Sequence, residues 1–409
     1  MPAYASFQPR SDFHLFSSDG PPHPHWVRNL LALVIASFAL VIAKPVGNRA
    51  LVFNTDVHEH IVELPVDAKD RFGKGSHGNI PVTVFRPDGD GPFPLVIINH
   101  GRTTGREGRG KPLRVRFEFA SRYFVRKGFA VAVPTRLGYG WTADAGDPED
   151  HSDDCKNLDS GAMLEAQARQ NEAIARRLQQ EPWVDAGKTI VLGHSTGALA
   201  ALAAGSRDIP GLALTIAIAG GRAGSPGSHP GAPCVPEELA THLTRLGREA
   251  RAPSWWIYNE NDMFFAPPAA QMWFDAYKAG GARASMTMLP SFGEDGHAWF
   301  VLANDQWQAM FDEELARHGF TQAGAIKRPP ATDYAALDDV RSLPPLPAGG
   351  VEQYRKFLDM KTPRAFAVGP EGRYAAISGD DALSRSLALC RRERDSACRL
   401  YAVDDSVVW

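Results

Sequence analysis

Residues 189–197, Thr189-Ile190-Val191-Leu192-Gly193-His194-Ser195-Thr196-Gly197, run from an apolar, β-branched stretch into Gly-x-Ser-x-Gly and then into small, helix-compatible residues. A serine on a tight strand-to-helix turn has its Oγ lifted clear of a sheet, and the flanking glycines allow the backbone to pack closely around it. Such a turn also aims the first N–H groups of the helix at the place where an anionic oxygen would form. A hydroxyl is a weak nucleophile at neutral pH. It needs a base within hydrogen-bond reach and a third group to orient that base.

The chain supplies both, in the order serine, acid, histidine that an elbow of this kind uses. Asp262 follows the apolar stretch ending Trp255-Trp256-Ile257-Tyr258-Asn259, where a carboxylate emerges at the C-terminal edge of a strand; Glu260 and Asp295 are its rivals. His297 lies in Phe292-Gly293-Glu294-Asp295-Gly296-His297, a loop just after the last strand of this region. For the oxyanion, one donor is the N–H of Thr196, the residue after the nucleophile. The other comes from the loop Asn99-His100-Gly101-Arg102-Thr103, with the N–H of Arg102 as first choice and Thr103 as the alternative. His100 and His194 read as neighbours of the site.

Short apolar runs alternate with helical patterns between about residues 57 and 319, which implies an α/β fold with a mostly parallel central sheet flanked by helices. Residues 58–66 and 80–85 read as opening antiparallel strands separated by the turn-rich residues 74–78. Residues 94–99 and 129–134 read as buried strands joined by a helix over 115–127. The loop 137–157 leads to a helix capped by Asp159 or Ser160, with Pro182 past its end. Strands follow at 189–193, 212–219, 254–258 and 284–289, with a Gly/Pro/Ser-rich excursion at 220–236.

These residues resemble the α/β-hydrolase superfamily, and within it the dienelactone-hydrolase-like serine esterases and the related carboxylesterases and acyl peptidases. The resemblance rests on His100-Gly101, Arg136-Leu137-Gly138-Tyr139-Gly140, the elbow at 193–197, Asn261-Asp262 and Gly296-His297, over residues 57–320. It implies acyl transfer through Ser195, His297 and Asp262 on a small-molecule ester, without a cofactor. Dienelactone hydrolases use a cysteine where this chain has Ser195, and that departure points to ordinary esters. A serine peptidase or amidase of the same fold is the alternative, and a non-catalytic binding protein on this scaffold is a more distant one. Tyr139, Trp141, Phe264, Phe265 and Trp299 are candidates to line a substrate pocket.

Composition narrows the remaining choices. Lysine plus arginine (44) nearly balances aspartate plus glutamate (47), which removes a general argument for nucleic-acid binding. A local basic cluster, Arg102, Arg106, Arg109, Lys111, Arg114 and Arg116, reads either as a solvated loop or as an anion-attracting rim. Val27-Arg28-Asn29 leads into the apolar residues 30–43, ending Val41-Ile42-Ala43, as in a secretory signal peptide. Lys44 and Pro45 stop the run short of the ~20 residues of a spanning helix, so membrane contact is expected only if this segment stays uncleaved. A start at Val27 would give a compact leader. The expected location is periplasmic or secreted.

The four cysteines are expected to pair as Cys155–Cys234 and Cys390–Cys398, the second because local pairing is simplest. None has the spacing of a zinc site. At 409 residues the chain is expected to hold a leader or anchor (1–43), a catalytic domain (50–322), a Pro-rich linker (323–350) and a small disulfide-stapled ββαβ module (351–409). Oligomeric state is not legible.

Overall fold

A computed structural model describes residues 53–103, 106–111, 114–149, 155–303, 306–326, 328–379, 382–391 and 398–409. The leader and the signal or anchor expected at 1–43 lie outside them. The strands of the main sheet are β1 (His60–Lys69), β2 (Gly75–Phe85), β3 (Phe93–Asn99), β4 (Ala130–Pro134), β5 (Val184–His194), β6 (Leu212–Ile218), β7 (Ser254–Asn259) and β8 (Ala284–Leu289). They are ordered β1-β2-β4-β3-β5-β6-β7-β8. β2 runs antiparallel to both its neighbours, and every pair from β4 to β8 is parallel. This is the expected mostly parallel central sheet, flanked by helices.

The helices of this part are α1 (Arg106–Gly110), α2 (Glu118–Arg126), α3 (Ser160–Leu178), α4 (Thr196–Ala204), α5 (Pro236–Glu249), α6 (Pro267–Ala279), α7 (Trp299–Leu302) and α8 (Gln308–Arg317). The central strands are apolar on both faces because both are covered. Val96 and Ile98 of β3, with Ile190 and Leu192 of β5, pack with residues of α2, α7 and α8. The alternate residues Leu95, Ile97 and Val191 pack instead with residues of α3 and α4. The two-residue period of the strands thus builds one core on each side.

Several expected boundaries move. Residues 75–78, read as a turn, continue β2 and pair with residues 66–69 of β1. The turn falls at Asp70, whose Oδ1 accepts from the N–H groups of Phe72 and Lys74; a side chain mimicking a backbone turn outweighs the glycine content of 74–78. α2 starts at Glu118, and Val115 lies before it in irregular chain, its N–H donating to Thr135 Oγ1. Asp159 caps α3 by accepting from Gly161 N at 2.8 Å.

A second, antiparallel sheet has the order β10-β9-β11-β12, with β9 (Arg364–Val368), β10 (Tyr374–Ser378), β11 (Arg399–Val403) and β12 (Ser406–Val407). It carries α9 (Ala348–Leu358) and α10 (Ala382–Cys390). Tyr354 and Phe357 of α9 pack with Phe366 and Tyr401. Leu387 of α10 and the Cys390–Cys398 disulfide pack with Ala365 and Ala367. This small α+β module touches the larger part through Arg126 Nη1, which donates to Ser384 Oγ at 3.3 Å. Within residues 323–350 the backbone is also engaged: Asp88 N donates to Ala325 O and Gly324 N to Arg126 O. Among the described residues no helix is long and apolar enough to cross a membrane.

Candidate active site

β5 ends at His194 and α4 begins at Thr196, so the single residue between them turns the chain. Ser195 adopts φ 59°, ψ −128°, a strained conformation for a side chain with a Cβ. The surrounding glycines are sterically required. A Cβ on Gly193 would lie 1.8 Å from Gly197 O, and one on Gly197 would lie 2.3 Å from Asn99 O and 2.4 Å from His100 O. Ser195 N donates to Ile218 O at 2.9 Å, which anchors the elbow to β6.

His297 Nε2 is 3.0 Å from Ser195 Oγ, and its Nδ1 is 3.1 and 3.0 Å from the two oxygens of Asp262. Asp262 is 2 % exposed and His297 6 %. With the Nδ1 proton shared with the carboxylate, Nε2 is left to accept the serine proton. Asp262 Oδ1 also accepts from Phe264 N (2.8 Å) and Phe265 N (2.9 Å), which fixes the carboxylate plane. Beneath it, burial first and the Asp262 charge second push the ionisation of the Tyr258 hydroxyl well up, so it stays neutral and donates to Gly220 O.

The two rival acids stand elsewhere. Glu260 is exposed. Asp295 Oδ1 accepts from His297 N and from Met263 N, both at 2.9 Å, and so clips the loop of the base to the loop of the acid. Asn261 adds to this clip by accepting from Phe292 N and donating to Gly293 O.

Thr196 opens α4, so its N–H has no partner inside the helix. Opposite it, a Cβ on Gly101 would sit 3.0 Å from Ser195 Cβ and 3.5 Å from Oγ; the Gly101-Arg102 stretch therefore passes alongside the nucleophile. This loop rests on a buried network that sequence reasoning did not find. His100 Nδ1 donates to Gly101 O, and its Nε2 accepts from Arg136 N at 3.1 Å. Arg136 donates from Nη1 to His100 O and in a bidentate pair to Glu149, at 2.6 and 3.1 Å. Burial alone would lower the Arg136 pKa, but the Glu149 carboxylate more than offsets it and the net shift is upward. An arginine directly after a buried strand was the available signal. Glu149, in an irregular loop, gave none.

Of the pocket candidates, Phe264 and Phe265 reach the site: their rings lie 4.2 and 5.4 Å from that of His297. Phe265 is buried against Trp273. Tyr139 is placed differently from the expectation. At 1 % exposure, with its ring edge-on to His100 and its hydroxyl on Glu149, it supports the loop from below and presents no surface to a ligand. Trp141 is 41 % exposed on the turn Gly140–Thr142. The basic cluster divides: Lys111 is solvated, its side chain 69 % exposed beside Glu107, while three of the arginines are paired internally. Arg114 and Arg116 both pair with buried Glu59, and Arg109 holds Gly138 O and Asp147; the side chain of Arg106 lies outside the described residues. Long-range pairing takes up the charges of Arg109, Arg114 and Arg116, and their sequence spacing does not reveal it.

Both cysteine pairs are disulfide-bonded as expected. Cys155–Cys234 ties the approach to α3 to that of α5. Close by, Asp159, Glu238 and His242 bring metal-capable atoms within 4.8 Å of one another. Glu238 accepts from Ser160 N and Oγ there and so fastens α5 to the start of α3.

No family model and no curated protein matches this chain. Among solved structures it is similar to a protein described as a dienelactone hydrolase from Klebsiella pneumoniae, at 17% identity over 64% of this chain and 99% of that one, TM-score 0.41. It is also similar to an esterase of Pyrococcus furiosus, at 16% identity over 65% and 95%, TM-score 0.42. An acylaminoacyl peptidase of Pyrococcus horikoshii is 13% identical over 64% of this chain and 42% of its own length, TM-score 0.42. At such identities the chemistry has to be read from this chain's own residues.

Proposed function

We propose that the chain is an exported serine hydrolase that cleaves carboxylic esters through an acyl-enzyme intermediate. The observation that carries this reading is the unbroken hydrogen-bonded series from Ser195 Oγ through the His297 ring to Asp262, at one edge of the sheet. Ser195 Oγ attacks the carbonyl carbon while its proton passes to His297 Nε2. The carbonyl electron pair moves onto oxygen, where the N–H groups of Thr196 and Arg102 receive it. Collapse expels the alkoxide, which takes the proton from Nε2 and leaves as the alcohol. Water then attacks the acyl-enzyme by the same proton path, releasing the acid and restoring Ser195.

The preference for esters over amides follows the resemblance to serine esterases. Export is supported by the two disulfides, which persist in oxidising compartments, and by the signal-like residues 30–43. A fluorophosphonate probe should label the wild-type protein stoichiometrically and leave Ser195→Ala unlabelled. Equal labelling of both, or none of either, refutes the serine-hydrolase reading. Faster turnover of p-nitroanilides than of matched p-nitrophenyl esters refutes the ester assignment alone.

A further inference from the structure

The proposed chemistry uses Ser195, His297 and Asp262 and leaves the buried imidazole beside them without a task. His194, the last residue of β5, is 3 % exposed. Its Nε2 lies 2.7 Å from the backbone carbonyl oxygen of His297. A carbonyl only accepts, so His194 Nε2 carries the proton in this bond. Its ring lies 4.9 Å from that of His297 and 6.3 Å from Phe300. Two consecutive residues therefore grip one histidine at both ends: residue 194 holds its backbone and residue 195 meets its ring at Nε2.

The direction of this grip matters. The loop bearing His297 contains Gly293, at φ 54°, and Gly296, and it needs outside restraint. The Asn261 bonds to Phe292 and Gly293, the bond from Gly296 N to Asn261 O, and the Asp295 bond to Met263 N all run to the segment after β7 that carries the acid. They fix base against acid. The His194 bond runs instead to β5, the strand that delivers the nucleophile. β5 is itself pinned, with His194 in register beside Ile218 of β6.

We propose that His194 is a positioning residue that sets the separation between the serine and its base, by tethering the His297 carbonyl to the nucleophile strand. The inference rests on the reading of Ser195 as nucleophile. His194 touches neither the substrate nor the transferring proton; it holds Nε2 of His297 at attack distance from Oγ while Asp262 keeps the ring oriented. Loss of the tether leaves the Asp262–His297 pair intact and lets the Ser195–His297 contact lengthen.

The test compares His194→Phe, which keeps an aromatic ring against Phe300 but has no donor, with His194→Gln, whose side-chain N–H reaches to a similar distance. Each is measured for kcat and KM on a p-nitrophenyl ester, for the rate of inactivation by a fluorophosphonate, and for Tm. His194→Phe should lower kcat and the inactivation rate on the order of tenfold to a hundredfold, as a sub-ångström to ångström misplacement of a catalytic pair does, with KM unchanged. His194→Gln should recover most of both rates. Should His194→Phe not fold, His194→Met, of glutamine-like length and without a donor, replaces it.

Wild-type kcat in the donorless variant overturns the proposal, as does a glutamine variant no faster than it, or a loss confined to KM. A wild-type protein that the probe does not label at Ser195 refutes the serine-hydrolase reading itself, and the tether with it. Labelling of the wild type together with an unimpaired His194→Phe refutes the tether alone.

Discussion

Replacing Glu149 by Gln tests whether the loop beside the nucleophile depends on a buried charge pair. The Arg136 side chain is 0% exposed and that of Glu149 1%, and their bidentate contact is the local compensation for a buried guanidinium. Removing one partner of such a pair costs about 3–5 kcal/mol, because the other charge stays buried without its counterion. At this chain length that corresponds to a fall in Tm of roughly 3–6 °C. The double replacement Arg136→Met with Glu149→Leu removes both charges, and stability should return close to wild type. Turnover should not return with it. His100 O then lacks the Arg136 Nη1 donor, and the Gly101-Arg102 backbone beside Ser195 loses its support; losing one well-placed oxyanion donor costs about a hundredfold or more in kcat. Differential scanning calorimetry and steady-state kinetics on the single and double variants separate the two effects. An unchanged Tm in Glu149→Gln, or full activity in the double variant, would refute the reasoning.

Further outcomes follow from the same geometry. Gly197→Ala places a Cβ 2.3 Å from Asn99 O and should cost about 1–3 kcal/mol or more by overpacking while abolishing any turnover of a p-nitrophenyl ester that the wild type shows, whereas Gly75→Ala, with nothing within 4 Å, should be silent in both assays. The Glu59 carboxyl is held below its ordinary value of 4.5: burial works against its charge, but Arg116 and Arg114 outweigh it. Its stabilisation is therefore complete above that ordinary value and is lost as pH falls through the depressed one. Glu59→Gln should lower Tm at neutral pH and flatten its decline below pH 4.5, and parallel wild-type and variant Tm curves would contradict this. Cys155–Cys234 closes a separation of 79 residues and Cys390–Cys398 one of 8. Chain-entropy arguments give about 4.5 and about 2.5 kcal/mol respectively. Paired Cys→Ser variants should show the larger Tm loss for the first, and the reverse order would sink the estimate.

The sequence by itself determined whatever rests on local spacing. Gly193, Ser195 and Gly197 define the elbow because a tight turn permits no Cβ at its flanks, and the order of Ser195, Asp262 and His297 along the chain follows from strands that all end at one edge. Both disulfide pairings were likewise readable. The unbroken apolar runs of β3 and β5 announced strands buried in the middle of a sheet.

What the sequence left open depended on partners far apart in the chain. Glu59 draws in Arg114 and Arg116, which turns that end of an apparently free basic cluster into a buried brace. Glu149 meets Arg136 beside the His100-Gly101 loop and takes Tyr139 into the interior with it. His194 reaches a carbonyl 103 residues away. Burial raises the cost of an unpaired charge or donor, so these groups go wherever the folded chain offers a partner. Spacing along the sequence carries no information about which partner that is, and only the tertiary structure decides it.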